Sequence, residues 1–441
     1  MVRTIGSAVL AMLLLVATAA ADDWDDWNDW NDQDHNDVRE APDDDWGAEN
    51  GWAADWQAGE GLLDLSGYLE TTAISVLPRN VTREQTEAGL QTLLRLRSRF
   101  EPEPFLSVTV ETEFLDRRGA AAAGGFGTDG VEPREITFDY LYGAVAFGPV
   151  DLRVGRQPLA WGSAYAFNPT DLMNPSTMAG LAGVEPPGIT AISSSITVGE
   201  RLGLEACLGF EDRSRNASAL RELSRAHRLP WGVLGRAYLG MWDFGIGIAR
   251  SAEWAPEWPP GSAAEGTLQT EDYAVAEVVG SIGPVLLYAE AAIEIGTDDW
   301  HIQRSLDGAL GAVWDPVDRL SLQAEYHRRG RGASDPQDYR PADRLARRLV
   351  GQDYLVGVGR FSMMSDDLEL TLASLLNLND RSSALIPELT YRITDDFHTT
   401  VGGSLFLGSR KSEFDGRFSD GTLGEVDLGL PQLFLRATWY F

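Results

Sequence analysis

The sequence predicts an all-β fold: a transmembrane antiparallel β-barrel of about 18 strands, preceded by an acidic disordered segment. Three observations predict it. From residue 61 onward, short runs alternate apolar and polar residues with a period of two, and turn residues break them every ten or so positions. The connections between these runs are alternately short and long, without a miss. Outside the N-terminus no run of 18 apolar residues occurs, so helices are not the means of crossing a bilayer.

Residues 1–21 read as a secretory signal peptide. Arg3 supplies the positive start, Ala8 to Val16 an apolar stretch too short to span, and Ala19-Ala20-Ala21 a small-residue cleavage site. A retained anchor is the alternative. No cysteine follows the apolar stretch, so a lipoprotein anchor is not expected. Residues 22–60 form a separate block with 12 Asp, 3 Glu and one Arg, and with six of the 14 tryptophans. Like charges at this density repel one another and cannot bury a core. A calcium-loop reading from Asp32 lacks its glycine, since Asp37 stands there, and its final Glu, since Asp43 stands there.

The strands are expected near 62–77, 88–99, 105–115, 135–147, 151–157, 189–198, 202–211, 232–240, 244–252, 271–281, 285–295, 306–314, 319–328, 353–362, 367–376, 384–393, 397–408 and 431–441. Short connections include Glu101–Pro104, Gly148–Val150, Gly199–Arg201, Met241–Asp243, Ile282–Pro284 and Thr394–Asp396. Long ones include 116–134, 158–188, 212–231, 329–352 and 409–430. Short periplasmic turns and long external loops are what a membrane barrel requires, whereas a soluble sandwich has no reason to segregate loop length. Lipid cannot satisfy backbone polar groups, so a spanning sheet must close on itself. Phe100, Phe147, Trp242, Phe244, Trp314, Phe361, Phe397 and Phe441 all sit beside short turns, as an interfacial aromatic belt does.

Side-chain alternation assigns faces. Leu433, Leu435, Ala437, Trp439 and Phe441 oppose Gln432, Arg436, Thr438 and Tyr440. Ile136, Phe138, Tyr140, Tyr142, Ala144 and Ala146 are expected on one face, opposite Thr137, Asp139 and Gly143. Charge on the lipid face costs about 2–4 kcal/mol near the midplane, so charged positions are assigned inward. The expected pore-lining residues are Arg95, Arg97, Arg99, Glu111, Glu113, Asp139, Arg236 and Arg436. Glu205, Glu290, Glu325, Glu369, Glu388 and Arg392 are further inward candidates. Two readings follow from them. Opposed basic and acidic walls give a transverse field; alternatively, inward cations and acids simply pair within the wall.

The chain resembles bacterial outer-membrane porins in this pattern and in its last strand, which ends on Phe441 with apolar residues at alternate positions before it. That ending looks like the signal read by the barrel-assembly machinery. The segment Leu152-Arg153-Val154-Gly155-Arg156-Gln157, then Trp161-Gly162, then Asn168-Pro169-Thr170-Asp171 and Asn174-Pro175, is similar to segments of porin-like and alginate-export-like families. The resemblance implies a bacterial outer-membrane location, surrounding lipid and a homo-oligomer as partners, and an external third loop that folds inward. Trp161, Asn168 and Asp171 are its expected constriction residues. Five prolines, Pro158, Pro169, Pro175, Pro186 and Pro187, stiffen this loop. The other reading is a surface loop with a helical turn near Asp171.

Other chemistry finds little support. The net charge of −31 argues against nucleic-acid binding. One cysteine, Cys207, leaves no disulfide framework or Cys-rich metal site. The five histidines show no metal-pair spacing, and no GxSxG elbow, P-loop or dinucleotide fingerprint is present. No catalytic residue, metal or cofactor is expected, although a triad using His327 or His398 as base remains an alternative. The reading is a porin for passive diffusion of small polar solutes. Its alternatives are a substrate-specific polysaccharide exporter and a structural or adhesive barrel. The acidic block is expected in the periplasm, where a cationic partner, collection of divalent cations, a mobile plug and a plain spacer are its readings.

Overall fold

The computed structural model describes residues 62–77, 87–119, 134–159, 161–174, 188–212, 228–256, 266–296, 305–339, 349–364, 367–415, 417–420, 424–427 and 431–441. The signal peptide and the acidic tryptophan block lie outside them.

The strands are β1 (Leu63–Val76), β2 (Glu87–Glu103), β3 (Leu106–Gly119), β4 (Arg134–Phe147), β5 (Val150–Gln157), β6 (Ile189–Val198), β7 (Leu202–Gly209), β8 (Trp231–Leu239), β9 (Trp242–Pro256) and β10 (Gly266–Ile282). Then come β11 (Val285–Ile295), β12 (Leu306–Val317), β13 (Leu320–Arg328), β14 (Asp353–Met363), β15 (Leu368–Asn377), β16 (Ser383–Thr394) and β17 (Phe397–Leu407). A two-stranded ribbon, β18 (Arg417–Asp420) and β19 (Gly424–Asp427), precedes β20 (Gln432–Tyr440). All but the ribbon belong to one 18-stranded antiparallel sheet. It closes where β1 pairs with β20 on one side and with β2 on the other. The expected strand number and antiparallel closure are therefore present. The ribbon, in the last long connection, was not foreseen.

Period-two sequences form these strands because one face meets the interior and the other does not. Leu65, Ile246, Leu310, Leu372, Val401 and Leu435 are exposed on the outer surface. Their opposite neighbours, among them Glu111, Glu290, Glu325 and Thr438, are buried within. Of the aromatics beside short turns, Phe100, Phe244, Trp314, Phe361 and Phe441 are exposed outward, while Phe147, Trp242 and Phe397 are half-buried.

One face assignment needs correction. In β4, Thr112 pairs with Phe138 but Glu111 pairs with Tyr140, so Asp139 is an extra residue. This bulge reverses the side-chain alternation. Ile136 (67 % exposed) and Phe138 (54 %) therefore point outward, whereas Tyr140 (5 %) points inward. Asp139 keeps its inward place because the bulge buries both it and Tyr140.

The core lies inside the barrel, between the wall and the segment that follows β5. Trp161, Leu172 and Met173 pack with Ile189, Ala191, Cys207, Leu234, Ala249, Val275 and Ala292. Ala166, with Tyr165 and Phe167 against it, packs with Tyr354, Val356, Val358 and Leu375.

Candidate functional site

The barrel interior is the site. On the inner wall around the closing seam, charges meet in pairs. Arg95 reaches Glu111 (3.4 Å) and Glu113, and Arg97 reaches Glu111 (2.5 Å). The register sets these contacts, since Arg95 stands opposite Glu113 and Arg97 opposite Glu111. Arg95 also lies over the Tyr68 ring and Arg97 over the Tyr140 ring, each 5.7 Å from the centroid. Tyr68 contacts Tyr440, which contacts His398. Arg436 lies 3.6 Å from Glu70. Arg99 pairs with Glu101 beside the short turn and is more exposed than the other two arginines. Farther round, Arg236 joins Glu205 and Glu277, each at 2.5 Å. Asp139 accepts the backbone N–H of Gly188 (3.2 Å). The eight expected pore-lining residues thus stand on the inner face, and each has a partner there.

The second element is the segment from Pro158 to Asn174. It runs along the inner wall, held by carboxylates that project from β11 and β13. Glu290 accepts the backbone N–H groups of Ser163 and Ala164 and the hydroxyl of Thr170 (2.9 Å). Glu325 accepts those of Tyr165 (2.7 Å) and Ala166 (3.2 Å), and the hydroxyl of Tyr288 (2.9 Å). Gln323 donates to that same Tyr288 oxygen (3.0 Å). Arg360 donates to the Tyr165 hydroxyl (2.8 Å) and lies over its ring. Phe167 meets His327, with ring centroids 5.0 Å apart. Hydrogen bonds to ionised carboxylates are the strong kind, and consecutive amides aimed at one oxygen fix a backbone trace.

Glycines make room for this arrangement at two places. The Tyr288 ring crosses Gly311, where a β-carbon would collide with it, on its way to Glu325. Trp161 lies on Gly232 in the same way. An aromatic ring laid over a strand glycine covers backbone that has no side chain of its own.

Of the three expected constriction residues, Trp161 is buried against the wall. Asn168 and Asp171 form a turn in which the Asp171 N–H donates to the Asn168 carbonyl (3.2 Å). Asp171 in turn accepts from the backbone N–H (3.1 Å) and side chain (2.8 Å) of Asn174. Among the described residues 161–174 no α-helix forms. In the preceding Gly155-Arg156-Gln157 stretch, Gly155 takes a left-handed φ of 128°, Gln157 is buried inward, and Arg156 turns to Glu211 (3.1 Å).

Sequence reasoning placed Glu290 and Glu325 inward but missed their hold on the segment. The available signal was an acid set between apolar or aromatic neighbours, Ala289 and Ala291 around Glu290 and Ala324 and Tyr326 around Glu325. It also missed a polar cluster among the long loops. There Glu413 accepts from Val350 N–H (2.9 Å), the Tyr354 hydroxyl (2.8 Å) and the Asn377 side chain (2.7 Å). Tyr339 accepts from Asn377 (2.9 Å), and Asp380 accepts the Glu413 N–H (2.6 Å). Burial outweighs these donors and pushes the Glu413 carboxyl up to about 7.

No protein-family model matches the chain, and no curated protein matches it. Among solved structures it is similar to a variant of the Rh. blastica porin, at 9 % identity and TM-score 0.44 over 86 % of this chain and 100 % of that one. It is likewise similar to a loop-deletion form of OmpT, an outer membrane protein of Vibrio cholerae, at 9 % identity and TM-score 0.42 over 86 % and 99 %. At such identities the chain's own geometry has to carry the functional reading.

Proposed function

We propose that this chain is an outer-membrane porin. Its barrel crosses the bacterial outer membrane, its lumen is filled with water, and small polar solutes diffuse through it passively. Barrels of 16–18 strands leave an aqueous channel. The observation that carries the reading is the segment Pro158–Asn174 held inside the wall by Glu290 and Glu325. An exterior of exposed apolar side chains around a charged interior supports the membrane location. Five inner arginines, Arg95, Arg97, Arg99, Arg236 and Arg436, each have a carboxylate partner, which fits a channel for mixed polar solutes better than an exporter of an anionic polymer. The lumen acts by geometry and field, so no catalytic group is assigned.

The test is reconstitution. Purified protein should show mostly-β circular dichroism, heat-modifiable mobility in detergent and stepwise conductance in planar bilayers. Folded, heat-modifiable protein that inserts without conductance overturns the channel in favour of a plugged structural barrel. A water-soluble product overturns the membrane location as well.

A further inference from the structure

The outer wall carries a pattern that the channel does not use. Away from turn-flanking residues, the outward positions of the strands hold eight charged residues among those described: Asp116, Arg118, Arg134, Arg156, Arg250, Asp272, Arg328 and Asp353. Six stand at the long-loop ends of their strands, and Arg250 and Asp272 stand in the long-loop halves of β9 and β10, each six residues from the strand end. Seven follow directly on an outward apolar residue, and Arg118 follows Asp116. Asp116 is two residues beyond exposed Phe114, Arg134 two beyond Ile136, Arg250 two beyond Ile248, Arg328 two beyond Tyr326 and Asp353 two beyond Leu355.

Register joins them across strands. Asp116 is the partner of Arg134, Arg250 of Asp272, and Arg328 of Asp353. The side chains meet accordingly. Arg250 lies 2.6 Å from Asp272 and Arg328 2.9 Å from Asp353, which also accepts the Tyr326 hydroxyl (2.5 Å). Arg156 meets Glu211 (3.1 Å), which accepts from Thr190 (2.5 Å). Arg118 (2.6 Å) and Arg134 (3.6 Å) share Asp116 and reach far into the surroundings, with side chains 65 % and 77 % exposed. From β15 round to β2 the outward positions carry no charge among the described residues except Glu103, which flanks a short turn.

We infer that these residues are a girdle that binds the phosphate-bearing headgroups of membrane lipid at the long-loop edge of the apolar band. The inference rests on the membrane location proposed above. Charged pairs are expensive within hydrocarbon and stable where it gives way to headgroups. Guanidinium is suited to that layer, because its planar fork matches phosphate oxygens and its stem can lie along apolar surface. The carboxylates set the arginines in position, and two arginines on one aspartate leave local positive charge for an anion. The Arg118–Arg134 pair is the strongest point of the girdle.

The test uses the full chain in dioleoyl phosphatidylcholine vesicles doped with a minor fraction of either dioleoyl phosphatidic acid or dioleoylglycerol. The lipid that stays with the protein after detergent extraction is quantified by mass spectrometry. The expected result is enrichment of phosphatidic acid over dioleoylglycerol of about tenfold, falling to near parity in R118Q/R134Q. Excess inorganic phosphate should leave the enrichment intact. If free phosphate abolishes it, the site takes a soluble anion and the headgroup assignment is wrong. Equal retention of the two lipids, or enrichment unchanged in the variant, overturns the girdle. R134Q alone alters only one exposed side chain and gives a second reading should the double variant fold poorly. Insertion with conductance but without lipid preference refutes only the girdle, whereas failure to insert refutes the membrane location on which it rests.

Discussion

Replacing both Glu290 and Glu325 by alanine should release the segment Pro158–Asn174 from the wall. Each carboxylate holds two backbone N–H groups and one hydroxyl. A hydrogen bond to a charged group is worth about 1.5–3 kcal/mol net, and water entering the lumen restores part of what alanine removes. About 3 kcal/mol of lost hold per carboxylate follows, enough to raise local opening by on the order of a hundredfold. Cys207 reports this directly. It is the chain's one cysteine and is buried in the cluster with Trp161, Leu172 and Met173. Labelling by a small maleimide should be slow in the native protein and at least tenfold faster in E290A/E325A, with single-channel current becoming noisier. Equal labelling rates and identical current traces in the folded variant would refute the reasoning, because the carboxylates would then contribute nothing to the segment's position.

Other outcomes follow from the same contacts. Replacing Arg95, Arg97 and Arg99 by glutamine leaves Glu111, Glu113 and Glu101 without those cations, so the reversal potential should move toward cation selectivity; no movement would place the three outside the conducting path. The Glu413 carboxyl is raised from 4.5 to about 7, so the folded loop cluster holds its proton more tightly than the unfolded chain does. Its contribution, about 3 kcal/mol at most, is complete below pH 4.5 and lost as pH rises through about 7. Hydrogen exchange at the Val350 amide should accelerate over that window, and Glu413→Gln should flatten the dependence. Gly311→Ala should displace the Tyr288 ring and break its bond to Glu325, lowering the temperature at which the barrel loses heat-modifiable mobility by several degrees. Deleting residues 22–60 should leave barrel folding unchanged, as judged by the same gel assay.

Much of the fold was legible because strand, face and loop length all follow from a period of two and from turn residues. The C-terminal strand shows this: Leu433, Leu435 and Trp439 are exposed and Thr438 is buried, as their alternation indicates. What escaped depends on contacts distant in sequence. The bulge at Asp139 is invisible locally, since Asp139 and Tyr140 continue an unbroken alternation and only pairing with Glu111 and Thr112 shows the extra residue. The inner pairs were readable as charges but not as partners, because register decides which carboxylate Arg95 meets. The hold of Glu325 on Tyr165 spans 160 residues, and the loop cluster around Glu413 joins three connections that no periodic pattern relates.

The seam between β1 and β20 sets an order of events for assembly. A closed ring of 18 strands has 18 neighbour contacts, and here every one except β1 with β20 joins strands that follow one another around the chain. The others can zip locally as hairpins while the chain is still incomplete. The last contact joins Tyr68 to Tyr440 and needs almost the whole polypeptide. Until it forms, β1 and the growing front each present an open edge of unpaired backbone groups, which invites pairing with other chains. A chain that ends before Gln432 therefore keeps both edges permanently. Its expected fate is aggregation or proteolysis, not a smaller barrel.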